Sequence, residues 1–191
     1  YARQGGMNRR KDGKLFYFIN KLIKGEIFGE IMDTKVIPSS RISNRVPFGT
    51  GRALLEAFDG VKNLELTYDF SIFKCLKRWI DNISCQNFDY DQFPEKVKKY
   101  IAKNEWDNTH LEMLKNSASH ELYLKRFFAK YDAFWVLKFT HYFRDNFTSN
   151  TDLLSNAQSL INQMNLKSLK NLDEQLELFR IVDQKKGPLA P

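Results

Sequence analysis

A mainly α fold is expected for this 191-residue chain, and three features of the sequence predict it. Apolar residues recur at spacings of three and four over most of its length, which is the signature of helices with one buried face. Only residues 64–68 alternate in the manner of a strand. No segment approaches the roughly 18 consecutive apolar residues of a membrane-spanning helix, so a membrane span is excluded. The expected architecture is a helical bundle around a long central helix, with at most one short β-hairpin or strand near 61–68. The composition agrees: 42% hydrophobic and 28% charged residues describe a folding chain rather than a disordered one. The 16 Phe, 8 Tyr and 3 Trp provide large rings for a core that needs no disulfide or metal to hold it.

Residues 1–13 read as a flexible basic arm, because Gly5, Gly6 and Gly13 interrupt charged residues and little beyond Met7 can pack. They have neither the apolar run nor the cleavage site of a secretory signal. The chain begins without Met, which leaves two expectations open: a segment cut from something longer, or a start at Met7, the first candidate initiator, with residues 1–6 foreign to the protein. From Lys14 the spacing of Leu15, Phe16, Ile19, Leu22 and Ile23 predicts a helix, with Gly25 and Gly29 interrupting its continuation. Residues 33–51 hold Pro38, Pro47, Gly49 and Gly51 among turn formers and form a long loop of the kind that is more often functional than idle. A short helix at 52–58 stops at Asp59 and Gly60.

Beyond the 64–68 strand the chain is helical nearly to its end. Ile72, Leu76, Trp79, Ile80 and Ile83 mark one face of a helix over 71–83. Pro94 and Glu95 suit the first turn of the next, through Val97, Tyr100 and Ile101. A short helix is expected at 109–115. Residues 119–147 are apolar on nearly every side and are expected to form the long central helix. Asn150 or Thr151 can cap a helix carrying Leu153 to Met164, and Leu169, Leu172, Leu176 and Phe179 mark a last helix ended by Gly187 and Pro188. Residues 14–186 are thus expected to form a single helical domain with a basic subregion at 14–52, followed by a tail at 187–191.

The charge is unevenly distributed. Of 30 Lys and Arg and 23 Asp and Glu, residues 1–52 hold 11 basic and 4 acidic, the entire net +7; the remaining 139 residues hold 19 of each. A basic block beside a neutral body suits contact with phosphate, with an anionic membrane or with an acidic partner. Within it, Phe48-Gly49-Thr50-Gly51-Arg52 opens a helix, where free backbone N–H groups and adjacent glycines can receive an anion. The phosphate contacts expected are therefore Arg9, Arg10, Lys11, Lys14, Arg41, Arg45, Gly51 and Arg52. The motif lacks the Lys and Ser or Thr of a P-loop and the third glycine of a dinucleotide fingerprint, so no cofactor is expected.

Secondary candidates are Tyr17, an aromatic beside the basic arm, and the pair His141 and Arg144, three apart on one helix face. His141-Tyr142-Phe143-Arg144, with Thr50-Gly51-Arg52 upstream, resembles the Arg and His-x-x-Arg elements of tyrosine recombinases, which clamp a scissile phosphate. That resemblance spans about seven residues and lacks a nucleophile, because no Tyr follows Tyr142. Lys14-Leu-Phe-Tyr-Phe, Lys98-Lys99-Tyr100 and Lys125-Arg126-Phe127-Phe128 combine cations with rings as single-strand binders do, although a core makes the same use of those rings. Cys75 and Cys85 with His110, His120 and His141 have no metal-ligand spacing, so no metal site is expected. Two reduced cysteines fit an intracellular reducing compartment. No catalytic residue can be named. The expectation is non-enzymatic binding of nucleic acid through the basic face. A protein-interaction module docking on an acidic partner is the alternative, and a phosphate-processing enzyme the third reading. Nothing in the sequence signals an oligomeric state.

Overall fold

The structure, a computed structural model, describes residues 14–24, 29, 31, 34, 36, 37, 39, 41–44, 49–85, 89–104, 106–169 and 171–185. The fold is mainly α: these residues carry nine α-helices and a single two-stranded antiparallel sheet. Two compact units emerge, one drawing on Tyr1–Leu66 and Ile161–Pro191, the other formed by Thr67–Leu160.

The Thr67–Leu160 unit is organised by aromatic burial. Strand β1 (Leu66–Tyr68) leads into α3 (Phe70–Ser84), whose first turn is capped by Asp69 accepting from the Ser71 N–H at 2.7 Å. Ile72, Leu76, Trp79 and Ile83 of α3 are buried, the face that their spacing predicts. A 3-10 turn (Tyr90–Gln92) precedes α4 (Glu95–Lys103), which has Pro94 at its N-cap and buries Val97, Tyr100 and Ile101. Helix α5 (Trp106–Lys115) begins a turn earlier than the sequence indicates, because Trp106 is anchored in the core at 2% exposure. Trp79 is the hub, with the rings of Phe93, Trp106, Phe127, Tyr131, Trp135 and Phe139 centred between 4.4 and 6.5 Å from its own.

The 119–147 stretch is not one long helix. It forms α6 (His120–Lys130) and α7 (Ala133–Phe147), joined at Tyr131 and Asp132. Asp132 makes the break: its carboxylate accepts from the N–H groups of Phe134 and Trp135 at 3.0 and 3.2 Å, starting a new helix instead of continuing the old one. The apolarity on every side is thereby explained. Phe127, Tyr131, Trp135 and Phe139 all centre their rings within 6.4 Å of that of Trp79, although 127 to 139 would span about 18 Å of a straight helix.

The sheet is also not a hairpin. β1 pairs with β2 (Asn150–Asp152), some eighty residues later in the chain, so Asn150 and Thr151 are strand residues rather than helix caps. Asp152 caps α8 (Leu153–Gln163) instead, accepting from the Ser155 N–H at 2.7 Å. Asn156 of α8 ties the ends together by accepting from the Phe70 N–H at 2.7 Å.

In the other unit, α1 (Lys14–Lys24) follows the predicted spacing, while residues 25–28, where an interruption is expected, lie outside the described set. Helix α2 (Thr50–Phe58) ends as Gly60 implies. Gly60 takes φ +71°, its N–H reaches the Ala57 carbonyl at 3.1 Å and the Val61 N–H reaches that of Glu56 at 2.8 Å, a Schellman closure. Helix α9 (Leu172–Lys185) buries Gln175, whose side-chain amide donates to the Leu169 carbonyl at 2.9 Å.

Candidate nucleic-acid interface

The first turn of α2 is where the structure brings predicted anion contacts together. Residues Arg41–Asn44 run against it: the Ser43 N–H donates to the Gly51 carbonyl at 3.2 Å. A Cβ on Gly51 would lie 2.8 Å from the Ser43 Cβ and 3.3 Å from the Arg41 carbonyl oxygen, so this approach requires glycine. Gly49, at φ +98°, sets the entry into the helix in a conformation that side chains disfavour. The N-cap residue, Gly49, has no side chain to cap the turn, and a helix start of this kind offers backbone N–H groups to an anion. The Arg41 side chain is exposed. Arg52 is partly committed, its Nε donating to the Glu56 carboxylate at 2.8 Å one turn on, with 41% of the side chain exposed.

The other primary candidates fall elsewhere. Arg9, Arg10, Lys11 and Arg45 lie outside the described residues, and Lys14 is described only as the first residue of α1. Of the 11 basic residues in 1–52, Lys21, Arg41 and Arg52 are those whose side chains are described. Tyr17 is half-buried and meets Phe16 edge-on, ring centres 6.2 Å apart.

His141 and Arg144 do share a face of α7, and a third residue joins them. Tyr68, from β1, places its ring 6.0 Å from the His141 imidazole and 5.7 Å beneath the Arg144 guanidinium. Arg144 Nε donates to the Asp145 carboxylate at 2.7 Å. That hydrogen bond holds the Asp145 carboxyl below its ordinary pKa and the Arg144 guanidinium above its own. An arginine already matched by a carboxylate is a weaker phosphate clamp, which lowers the value of this pair as an anion site. Spacing along α7 reveals His141 and Arg144 together, but Tyr68 arrives through strand pairing, for which the local sequence has no signal.

Two solvent-open depressions on the Thr67–Leu160 unit miss these candidates. One, of about 520 Å³, lies along α5 and α6, where Arg126 donates to the Ser117 hydroxyl at 3.1 Å and to the Asn116 carbonyl, and Lys130 to the Thr109 hydroxyl at 3.2 Å. The other, of about 390 Å³, is lined by Arg78, Asp81, Asn82, Cys85, Gln92 and Pro94. Neither is lined by Arg52, His141 or Arg144.

The remaining histidines are structural. His110 is 4% exposed, stacked on Trp106 with its Nδ1 3.0 Å from the Tyr123 hydroxyl, and His120 Nε2 lies 3.0 Å from the Ser84 carbonyl oxygen. Among the described residues, no group of three or more His, Cys, Asp or Glu side chains is placed to hold a metal ion, and no helix is long and apolar enough to cross a membrane. Two of the cation and ring runs supply core: Tyr100 is 3% and Phe127 1% exposed. Neither protein-family models, curated protein sequences nor solved structures give a significant match to this chain.

Proposed function

We propose that the chain binds nucleic acid without processing it, by phosphate contacts from its basic amino-terminal quarter. The observation that carries the reading is the confinement of the whole net +7 to residues 1–52, which include the glycine-dependent packing of Arg41–Ser43 on the uncapped first turn of α2. There a phosphate meets backbone N–H groups, the Arg41 side chain and the part of the Arg52 guanidinium that Glu56 does not engage. Arg9, Arg10, Lys11, Lys14 and Arg45 add charge along the same stretch of chain. Contacts of this kind read charge and not base identity, so affinity falls with salt and depends little on sequence. A gel-shift titration of the full chain at low and moderate salt tests this, with Arg41, Arg45 and Arg52 replaced together by Gln. The reading requires wild-type binding at low salt and its marked weakening in the variant; no wild-type binding at low salt removes it.

A second reading, a protein-interaction module, is favoured by one observation. In the same unit Phe58 and Val61 are 80% and 77% exposed, and Leu172 and Leu176 of α9 are 50% and 46% exposed. Apolar side chains in that number suit a partner surface. Binding of an acidic polypeptide such as polyglutamate, with none of an oligonucleotide, decides for this reading.

A further inference from the structure

We infer that α4 carries a separate contact face for single-stranded nucleic acid, in which Lys96, Lys99 and Lys103 hold phosphates while the rings of Tyr142 and Phe147 on α7 receive bases. The face lies wholly within the Thr67–Leu160 unit and uses none of the amino-terminal residues, so it stands or falls independently of them.

The placement of the lysines comes first. Residues three and four apart share a helix face, and 96 to 103 spans about 10 Å of helix axis. All three lysines are exposed and flank the buried face of Val97, Tyr100 and Ile101 on its Tyr100 side.

Lys98 takes the Glu95 carboxylate at 3.7 Å, whereas Lys96, Lys99 and Lys103 have no ion pair with a described carboxylate. Lys74 and Arg78 on α3 are exposed and equally without one. Burial raises the pKa of the Cys75 thiol, and Lys96 of α4 and Arg78 of α3 both oppose that rise. Cations gathered without counter-charges lower their free energy by taking up a polyanion.

The rings select which polyanion. Lys96 Nζ lies 5.7 Å over the Phe147 ring and Lys103 Nζ 5.1 Å over the Tyr142 ring, both rings half-buried at the edge of the core. A phosphate draws each ammonium off its ring into a charge-assisted hydrogen bond. The uncovered ring face then stacks a base, an exchange open to any base because all have π faces. An acidic peptide also takes the ammonium groups, but carboxylate side chains put nothing flat on the vacated rings. The expected Lys98-Lys99-Tyr100 unit is thus replaced by lysines of α4 and rings of α7, since Tyr100 itself is core.

Anisotropy titrations of the full chain with labelled oligothymidylate and oligouridylate over a range of salt test the inference. They are paired with lysine acetylation footprinting by mass spectrometry. Saturating oligonucleotide should slow acetylation of Lys96, Lys99 and Lys103 several-fold and leave Lys77, which pairs with Asp81 at 2.7 Å, unchanged. Lys96, Lys99 and Lys103 replaced together by Gln should reduce the slope of log affinity against log salt by about 2, at roughly 0.7 per phosphate on a single strand. Tyr142→Leu should lower affinity about tenfold with the slope unchanged. Protection by one oligonucleotide alone supports the face and assigns it to DNA or to RNA. An unprotected wild type, or protection by polyglutamate only, overturns it. A wild-type slope in the lysine variant beside lost binding in the Arg41, Arg45 and Arg52 variant also overturns it, and leaves the amino-terminal reading standing. The opposite pair of results removes the amino-terminal reading alone.

Discussion

Replacing Trp79 by Ala removes the ring around which the Thr67–Leu160 core is arranged. The side chain is 1% exposed and has six aromatic neighbours with centres between 4.4 and 6.5 Å away. Truncation of a buried Trp costs about 3–5 kcal/mol. The loss of several ring pairs, about 0.5–1.5 kcal/mol each, pushes toward the upper end. One term opposes this: Trp79 Nε1 is buried without a hydrogen-bond partner, and deleting such a group recovers about 1 kcal/mol. The net expectation for Trp79→Ala is about 4 kcal/mol. Trp79→Phe keeps a ring, loses two carbons' worth of burial at about 0.8 kcal/mol each and also sheds the unpartnered N–H, for a net below about 1 kcal/mol. Leu111→Ala, at a side chain 63% exposed, should stay within about 0.5 kcal/mol of wild type. Urea unfolding followed by far-UV circular dichroism measures all three. If Trp79→Ala costs no more than Leu111→Ala, Trp79 is not the centre of the core.

Three further outcomes are expected. Asp132→Ala should cost about 1 kcal/mol by removing the acceptor that starts α7, and Asp132→Asn should cost less, because an amide oxygen still caps; equal losses in urea unfolding contradict the cap. Burial raises the pKa of Tyr100 from 10.0 to about 12, and also raises those of Tyr123 and Tyr131. Because the folded value exceeds the unfolded one, the neutral phenol stabilises the fold fully below pH 10.0, and this contribution is lost as pH rises through about 12. The urea midpoint should therefore decline over that window, less steeply in Tyr100→Phe, and a flat profile counts against the burial. Gly51→Ala should displace Arg41–Ser43, speeding exchange of the Ser43 amide and weakening oligonucleotide binding with helix content retained. Unchanged exchange and affinity show that the close approach has no part in binding.

The helices were legible wherever one buried face met one solvated face. Ile72, Leu76, Trp79 and Ile83 announce α3 by spacing alone, and Gly60 announces the end of α2. The division of 119–147 was not, since apolar residues around the whole circumference overwhelm the single polar signal at Asp132. β2 was invisible for a different reason: Asn150-Thr151-Asp152 has no apolar alternation, and its strand character comes from β1, far away in the chain. The same distance explains the site. His141 and Arg144 share a face through helical periodicity, whereas the approach of Arg41 and Ser43 to Gly51 is signalled locally only by the glycine itself. Tyr68 beside His141, or Lys96 over Phe147, depends on tertiary packing that no local pattern encodes.

The most direct test of polyanion binding is the salt dependence of oligonucleotide affinity for the full chain. Seven amino-terminal contacts, from Arg9, Arg10, Lys11, Lys14, Arg41, Arg45 and Arg52, imply a slope of log affinity against log salt of about −5 on a single strand, steepened by about 2 if the α4 face takes part. Absence of binding at low salt, or an affinity that salt does not change, contradicts the account.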